Sequence, residues 1–219
     1  MSDIFSEIDE DLRRERLRKL WEKYGIVVVA LAILIVAGIG GWRAYEAWQA
    51  GRAAEAGDAY ERALLLEQEG KPEEAKAAFS KLTEEGTANY RRLARFREAA
   101  VLAASDRKAA VAIYDEVAAD NAAGQTLRDA ANLRAGMLLA DEAPLDQLTA
   151  RLQPLTADGR AFRHSARLVL ALAAWRAEDI AAARRWAEAI VADPLAPQNT
   201  RGQAEMLMAL TADRAEAKS

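Results

Sequence analysis

The sequence has no cysteine and one histidine, His164. Without cysteine there are no disulfides, thiolate zinc sites, iron–sulfur clusters or cysteine nucleophiles. One histidine leaves no histidine-based metal cluster. Positive charge is not gathered into a stripe: residues 43–219 carry 24 basic and 27 acidic side chains, a net −3. Interspersed signs exclude a nucleic-acid footprint and describe an ordinary solvated surface. Catalytic motifs are missing too. Ser165 lies in GRAFRHSARL with no Gly-x-Ser-x-Gly elbow. His164, between Arg163 and Arg167, reads as a surface or partly buried residue. Glu73/Glu74 and Glu84/Glu85 read as helix-start charge and solvated faces. The expectation is a protein that is not an enzyme, with no cofactor, metal or small-molecule substrate.

Charge is also absent from one whole stretch, 24–42, YGIVVVALAILIVAGIGGW. As a helix its 19 residues cover about 28 Å, close to the hydrocarbon thickness of a bilayer. Trp21 and Tyr24 flank one end; Trp42, Tyr45 and Trp48 flank the other, like aromatic belts at two headgroup zones. Gly38, Gly40 and Gly41 fall inside this stretch, so they form no phosphate loop. Ala37 and Gly41, one helical turn apart, form a small-residue face suited to close helix contact in lipid. Arg13, Arg14, Arg16, Arg18, Lys19 and Lys23 precede the stretch, against Arg43, Arg52 and Arg62 just after it. That bias predicts a cytoplasmic tail (1–23), an uncleaved signal anchor (24–42) and an outer domain (43–219), periplasmic in a bacterium. Leu12, Leu17, Leu20 and Trp21 recur at helical spacing, so the tail is expected to lie along the cytoplasmic headgroups.

The outer region is rich in alanine and other strong helix formers. Breakers cut it into helices expected at 44–69, 73–85, 89–104, 107–119, 125–141, 144–153, 160–177, 179–192 and 199–216. Short links such as Glu69-Gly70-Lys71-Pro72 and Asp158-Gly159 imply antiparallel neighbours and an all-α fold.

Three segments repeat: EEAKAAFSKLTEEG (73–86), KAAVAIYDEVAADN (108–121) and AAARRWAEAIVADP (181–194). Their aromatics Phe79, Tyr114 and Trp186 lie 35 and 72 residues apart, one unit and two. The skipped unit falls on 144–158, which offers Leu148, Leu152 and Leu155 but no aromatic and is shortened by Pro154. Ala182, Trp186, Ala189 and Pro194 follow the second-helix pattern of the tetratricopeptide repeat in full; Ala75 and Phe79 follow its first half. Ala63 and Leu170 stand where the first helix of a unit usually has Gly or Ala. Small residues let paired helices approach, and the aromatic fills the gap between units.

The whole arrangement is a charged tail, a single N-terminal anchor, then about four alanine-rich repeats in a tetratricopeptide-like α-hairpin solenoid. It resembles the YfgM family of ancillary subunits of the bacterial SecYEG translocon. The resemblance implies an inner-membrane protein whose repeats face the periplasm. It implies two partners, the translocon and a membrane-anchored periplasmic chaperone of the peptidyl-prolyl isomerase class. A scaffold for cell-envelope assembly or division is the alternative.

On the residues alone, Arg91, Arg92, Arg95 and Arg97 are the conspicuous cluster. Arg91 and Arg95 share a face at i,i+4. They are the candidate contact for an acidic segment or C-terminal carboxylate of a partner.

Overall fold

The computed structural model describes the backbone of residues 3–216 and the side chains of residues 18–212. It is all-α: α1 (Asp3–Gln68), α2 (Pro72–Glu85), α3 (Ala88–Leu102), α4 (Arg107–Ala119), α5 (Gly124–Leu139), α6 (Leu145–Leu152), α7 (Arg163–Arg176), α8 (Ile180–Val191) and α9 (Gln198–Glu216). Single 3-10 turns precede α5 and follow α6. The chain divides into two compact units, Met1–Ala54 and Glu55–Ser219.

The first unit is a stretch of α1. Its large apolar side chains from Leu20 to Trp48 are exposed, including Ile26, Leu31, Leu34 and Val36. Among the described residues it is the one helix long and apolar enough to cross a membrane, by length and composition. A helix apolar all round has no water-facing side and is suited to a protein core or to a membrane. At its ends Lys23 sits over the Tyr24 ring at 5.3 Å and Arg52 over the Trp48 ring at 5.2 Å. The expected separate helix at 44–69 is corrected: α1 continues through Gly40-Gly41 without a break. Neither glycine has a positive φ, and no proline removes a donor there. The tail's Leu12 and Leu17 lie outside the described side chains.

The second unit is a run of antiparallel helices in which each packs on the next. The starts follow local chemistry. Pro72 opens α2, where its missing N–H costs nothing. Asp106 and Asp179 cap α4 and α8, each accepting from the amide three residues on at 2.9 Å. Gly70, at φ +75°, makes the reversal into α2. The α7 start moves from the expected 160 to Arg163, because residues 160–162 still belong to the turn after Gly159.

The core is a chain of clusters, each shared by successive helices. Ala56 and Ala63 of α1 pack with Ala75, Phe79 and Leu82 of α2 and Ala94 of α3. Ala99, Ile113, Tyr114, Val117, Ala131 and Ala135 join α3, α4 and α5. Leu133, Leu148, Leu152, Leu155 and Leu170 join α5, α6 and α7. Ala171, Ala187, Ile190, Ala204 and Leu207 close the run at α9. Nearest-neighbour burial of this kind is the signature of a solenoid.

Candidate functional site

Of the repeat-packing residues, Ala63, Ala75 and Phe79 are fully buried, Tyr114 is 2% exposed and Ala182 6%. Phe79 meets Tyr60 edge-on with ring centroids 5.7 Å apart, and Tyr114 meets Phe96 at 5.2 Å. Burial raises the Tyr114 pKa above its usual value. The fourth unit differs. Trp186 and Ala189 are only half-buried and Pro194 is exposed in the turn after α8. Ala183, Ala187 and Ile190 are fully buried beside Trp186, which packs against the clusters on both sides, and Arg185 lies over its ring at 5.7 Å. In the aromatic-free third unit, Leu148 and Leu152 fill the gap, both fully buried. Gly136 makes room for them: a Cβ there would lie 2.8 Å from Leu152 Cδ2.

His164 is buried rather than on the surface, as part of an ion cluster. Its Nε2 lies 2.8 Å from Asp193 Oδ2, which also accepts from Arg163 Nε at 2.8 Å and Arg167 Nη1 at 3.4 Å. Arg163 and the Leu195 amide hold the Asp193 carboxyl well below the usual carboxylate range. Arg167 also donates to the Thr156 and Ala189 carbonyls, and Arg201 to the Asp193 carbonyl. Every partner here is internal, so the cluster ties α7 to the α8–α9 turn.

Arg91 and Arg95 lie along a cleft of about 430 Å³ beside α4, with Thr83, Arg92, Glu116 and Asp120. Arg95 donates to Glu116 at 2.6 Å and Glu98 at 3.1 Å, and the Glu116 bond raises its pKa. Arg92 donates to Asp120 at 2.8 Å, which lowers the Asp120 pKa. Arg91 is exposed, and among the described residues its side chain has no ion pair or hydrogen bond. The arginines are balanced by Glu98 on α3 itself, by Glu116 on α4 and by Asp120 just after it.

A second groove, about 540 Å³, opens where α1, α3 and α5 come together. Tyr60, Leu93, Phe96, Arg97, Leu127 and Ala130 line it, with the turn at 122–124 at one end. Leu93 is 38% exposed, an apolar side chain that the core clusters leave unused. Arg97 Nε donates to Tyr60 Oη at 3.3 Å. Gly57 lies against the Tyr90 hydroxyl, which would have to shift to admit a Cβ there. No sequence signal marks this site, because its walls come from positions near 60, 95 and 127.

A family model for a tetratricopeptide repeat-like domain matches residues 18–167. The chain belongs to this family. YfgM-like proteins fall within it, as the sequence resemblance suggested. No curated protein and no solved structure matches the chain. A tetratricopeptide repeat-like domain binds proteins, so the partners of this chain are proteins. The paired helices α1/α2, α3/α4, α5/α6 and α7/α8 are its units. The 540 Å³ groove is lined by the first helices of three successive units, whereas the Arg91/Arg95 cleft is lined by the two helices of one unit and by Thr83 from the second helix of the unit before. The matched segment ends in α7; α8 and α9 complete the run beyond it. Among the described residues, no group of three acidic or histidine side chains could hold a metal ion.

Proposed function

We propose that the chain is a single-pass, membrane-tethered scaffold that binds partner proteins by the groove of its first helices. The observation that carries this is the α1–α3–α5 groove, where Leu93, exposed and used by no core cluster, stands beside Phe96 and Leu127, whose inner sides pack on the core. Tethering raises the effective concentration of the groove near membrane-embedded partners. The basic residues before the span favour a bacterial inner-membrane protein with its N-terminus in the cytoplasm and residues 43–219 in the periplasm. The YfgM resemblance supports a finer reading: an ancillary SecYEG subunit that brings a peptidyl-prolyl isomerase-type chaperone to emerging chains. Ala37 and Gly41 serve as the helix contact within the membrane. Arg91 is a second contact for acidic partners, and Arg95, paired with Glu116 and Glu98, orients that face.

In-cell photo-crosslinking from Ala37, Gly41 and Leu93 tests this reading. Translocon subunits on the span probes, with a periplasmic chaperone or nascent chains on Leu93, support the secretion role. Division or wall-synthesis proteins would place the same scaffold in envelope assembly. Cytoplasmic partners on Leu93 would overturn the topology.

A further inference from the structure

The α1–α3–α5 groove combines an apolar floor with charge of one sign. Its lining includes two guanidinium groups, Arg92 and Arg97, and no carboxylate. Arg92 is paired with Asp120, but the hydrogen-bond partner of Arg97 is the neutral Tyr60 hydroxyl. Nearby, the charges that act on Tyr114 are Arg134 and Arg97 against a single Glu67. The first turn of α5, at the other end of the groove, has no acidic residue and no side-chain cap. The N-terminal end of the α5 dipole adds partial positive charge there. Arg97 lies five residues along α3 from Arg92, about 7.5 Å at the helical rise. With Arg92 neutralised by Asp120, the positive charge left beside Leu93 and Phe96 is that of Arg97.

We propose that this groove docks a short acidic segment of a partner protein, an apolar side chain seated against Leu93 and Phe96 and a carboxylate on Arg97. This rests on the scaffold reading above and adds the chemistry of its ligand. A carboxylate entering the groove meets a guanidinium that no internal acid neutralises, and partial burial strengthens that bond relative to water. A basic segment would bring like charge to Arg97 and is rejected. A purely apolar segment would leave Arg97 desolvated without a charged acceptor.

The test uses the full chain in lipid nanodiscs and fluorescence anisotropy. The probe is a labelled peptide with Leu-Phe between aspartates; its partner has asparagine in place of each aspartate. The acidic peptide is expected to bind about tenfold or more tightly, with the difference shrinking at high salt. Leu93, being exposed, accepts either charge without loss of fold. Leu93→Asp abolishes acidic-peptide binding, whereas Leu93→Lys keeps it. Arg97→Gln weakens it about tenfold or more, while Tyr60→Phe, which leaves the Arg97 charge in place, does not. Unchanged melting curves show that each variant is folded. Equal binding of the two peptides, equal effects of Leu93→Asp and Leu93→Lys, or no binding of the acidic peptide to the native chain would overturn the proposal. The scaffold reading fails separately, by the absence of any partner crosslinked from Leu93 in cells.

Discussion

Asp193 is the residue on which the C-terminal end of the repeat domain depends. Its carboxylate is 13% exposed and accepts from Arg163, His164 and Arg167. Asp193→Asn keeps the shape and removes the charge, so it should lower the melting temperature and loosen α9 first, seen as faster amide exchange there. The pH dependence has a definite sign. The folded-state pKa of Asp193 is depressed, so its contribution is present above the ordinary carboxylate value and is lost as pH falls through the folded value. The melting difference between native chain and Asp193→Asn should be full at about pH 6 and shrink below about pH 4. A constant difference across that range would remove the charge from the explanation. Aromatic packing gives a second contrast. Phe79→Ala should cost about 3–5 kcal/mol, because the ring is fully buried against Tyr60. Trp186→Ala should cost less, because that ring is half-buried. Urea unfolding of the two variants checks the order.

Among the elements, α6 shows how a repeat survives without its aromatic. Leucines replace the ring and Gly136 on α5 supplies the clearance, its missing Cβ leaving room for the Leu152 isobutyl group. Gly136→Ala should destabilise the domain by about 1–3 kcal/mol, since a methyl group there has no space to enter. Gly202 in α9 is the opposite case, with nothing within 4 Å of an added Cβ. Gly202→Ala should stabilise by about 0.5–1 kcal/mol through helix propensity and a less flexible unfolded chain. Chemical denaturation of the pair separates packing from propensity. Most helices were legible because Pro72, Asp106 and Asp179 punctuate the sequence with local chemistry. Gly136 was not, since nothing in its own neighbourhood announces Leu152, sixteen residues later. The repeat pattern fixes the spacing of Trp186 along α8, whereas its depth of burial depends on which face the neighbouring helices cover; it packs half-buried against two core clusters. Likewise Glu116 could be named as a partner of Arg95 only once α3 and α4 were seen to pair, whereas Glu98 lies one turn along the same helix. The groove was illegible for the same reason, on a larger scale: its walls are three helices that only folding brings together.

For the whole molecule, the proposed topology predicts that protease added to intact spheroplasts trims residues 43–219, while inverted vesicles protect them. The reverse pattern would place the repeats in the cytoplasm. The repeat domain itself is a short solenoid, and such arrays are stabilised by the sum of neighbour interfaces. Its interfaces have an unusual currency. Ala63, Ala75, Ala94, Ala99, Ala110, Ala131, Ala135, Ala166, Ala171, Ala174, Ala183, Ala187 and Ala204 are all fully buried. Small buried side chains let helix backbones approach, and a close-packed interior leaves little room for a further methylene at such positions. The larger core residues, by contrast, have near-equivalents of similar volume. Under random mutagenesis with selection for folded protein, positions such as Leu148, Leu170 and Ile190 should drift among aliphatic residues. The buried alanines should stay alanine or become glycine or serine. The pattern that defines this fold in a population of sequences is therefore written mainly in the places where side-chain volume is withheld.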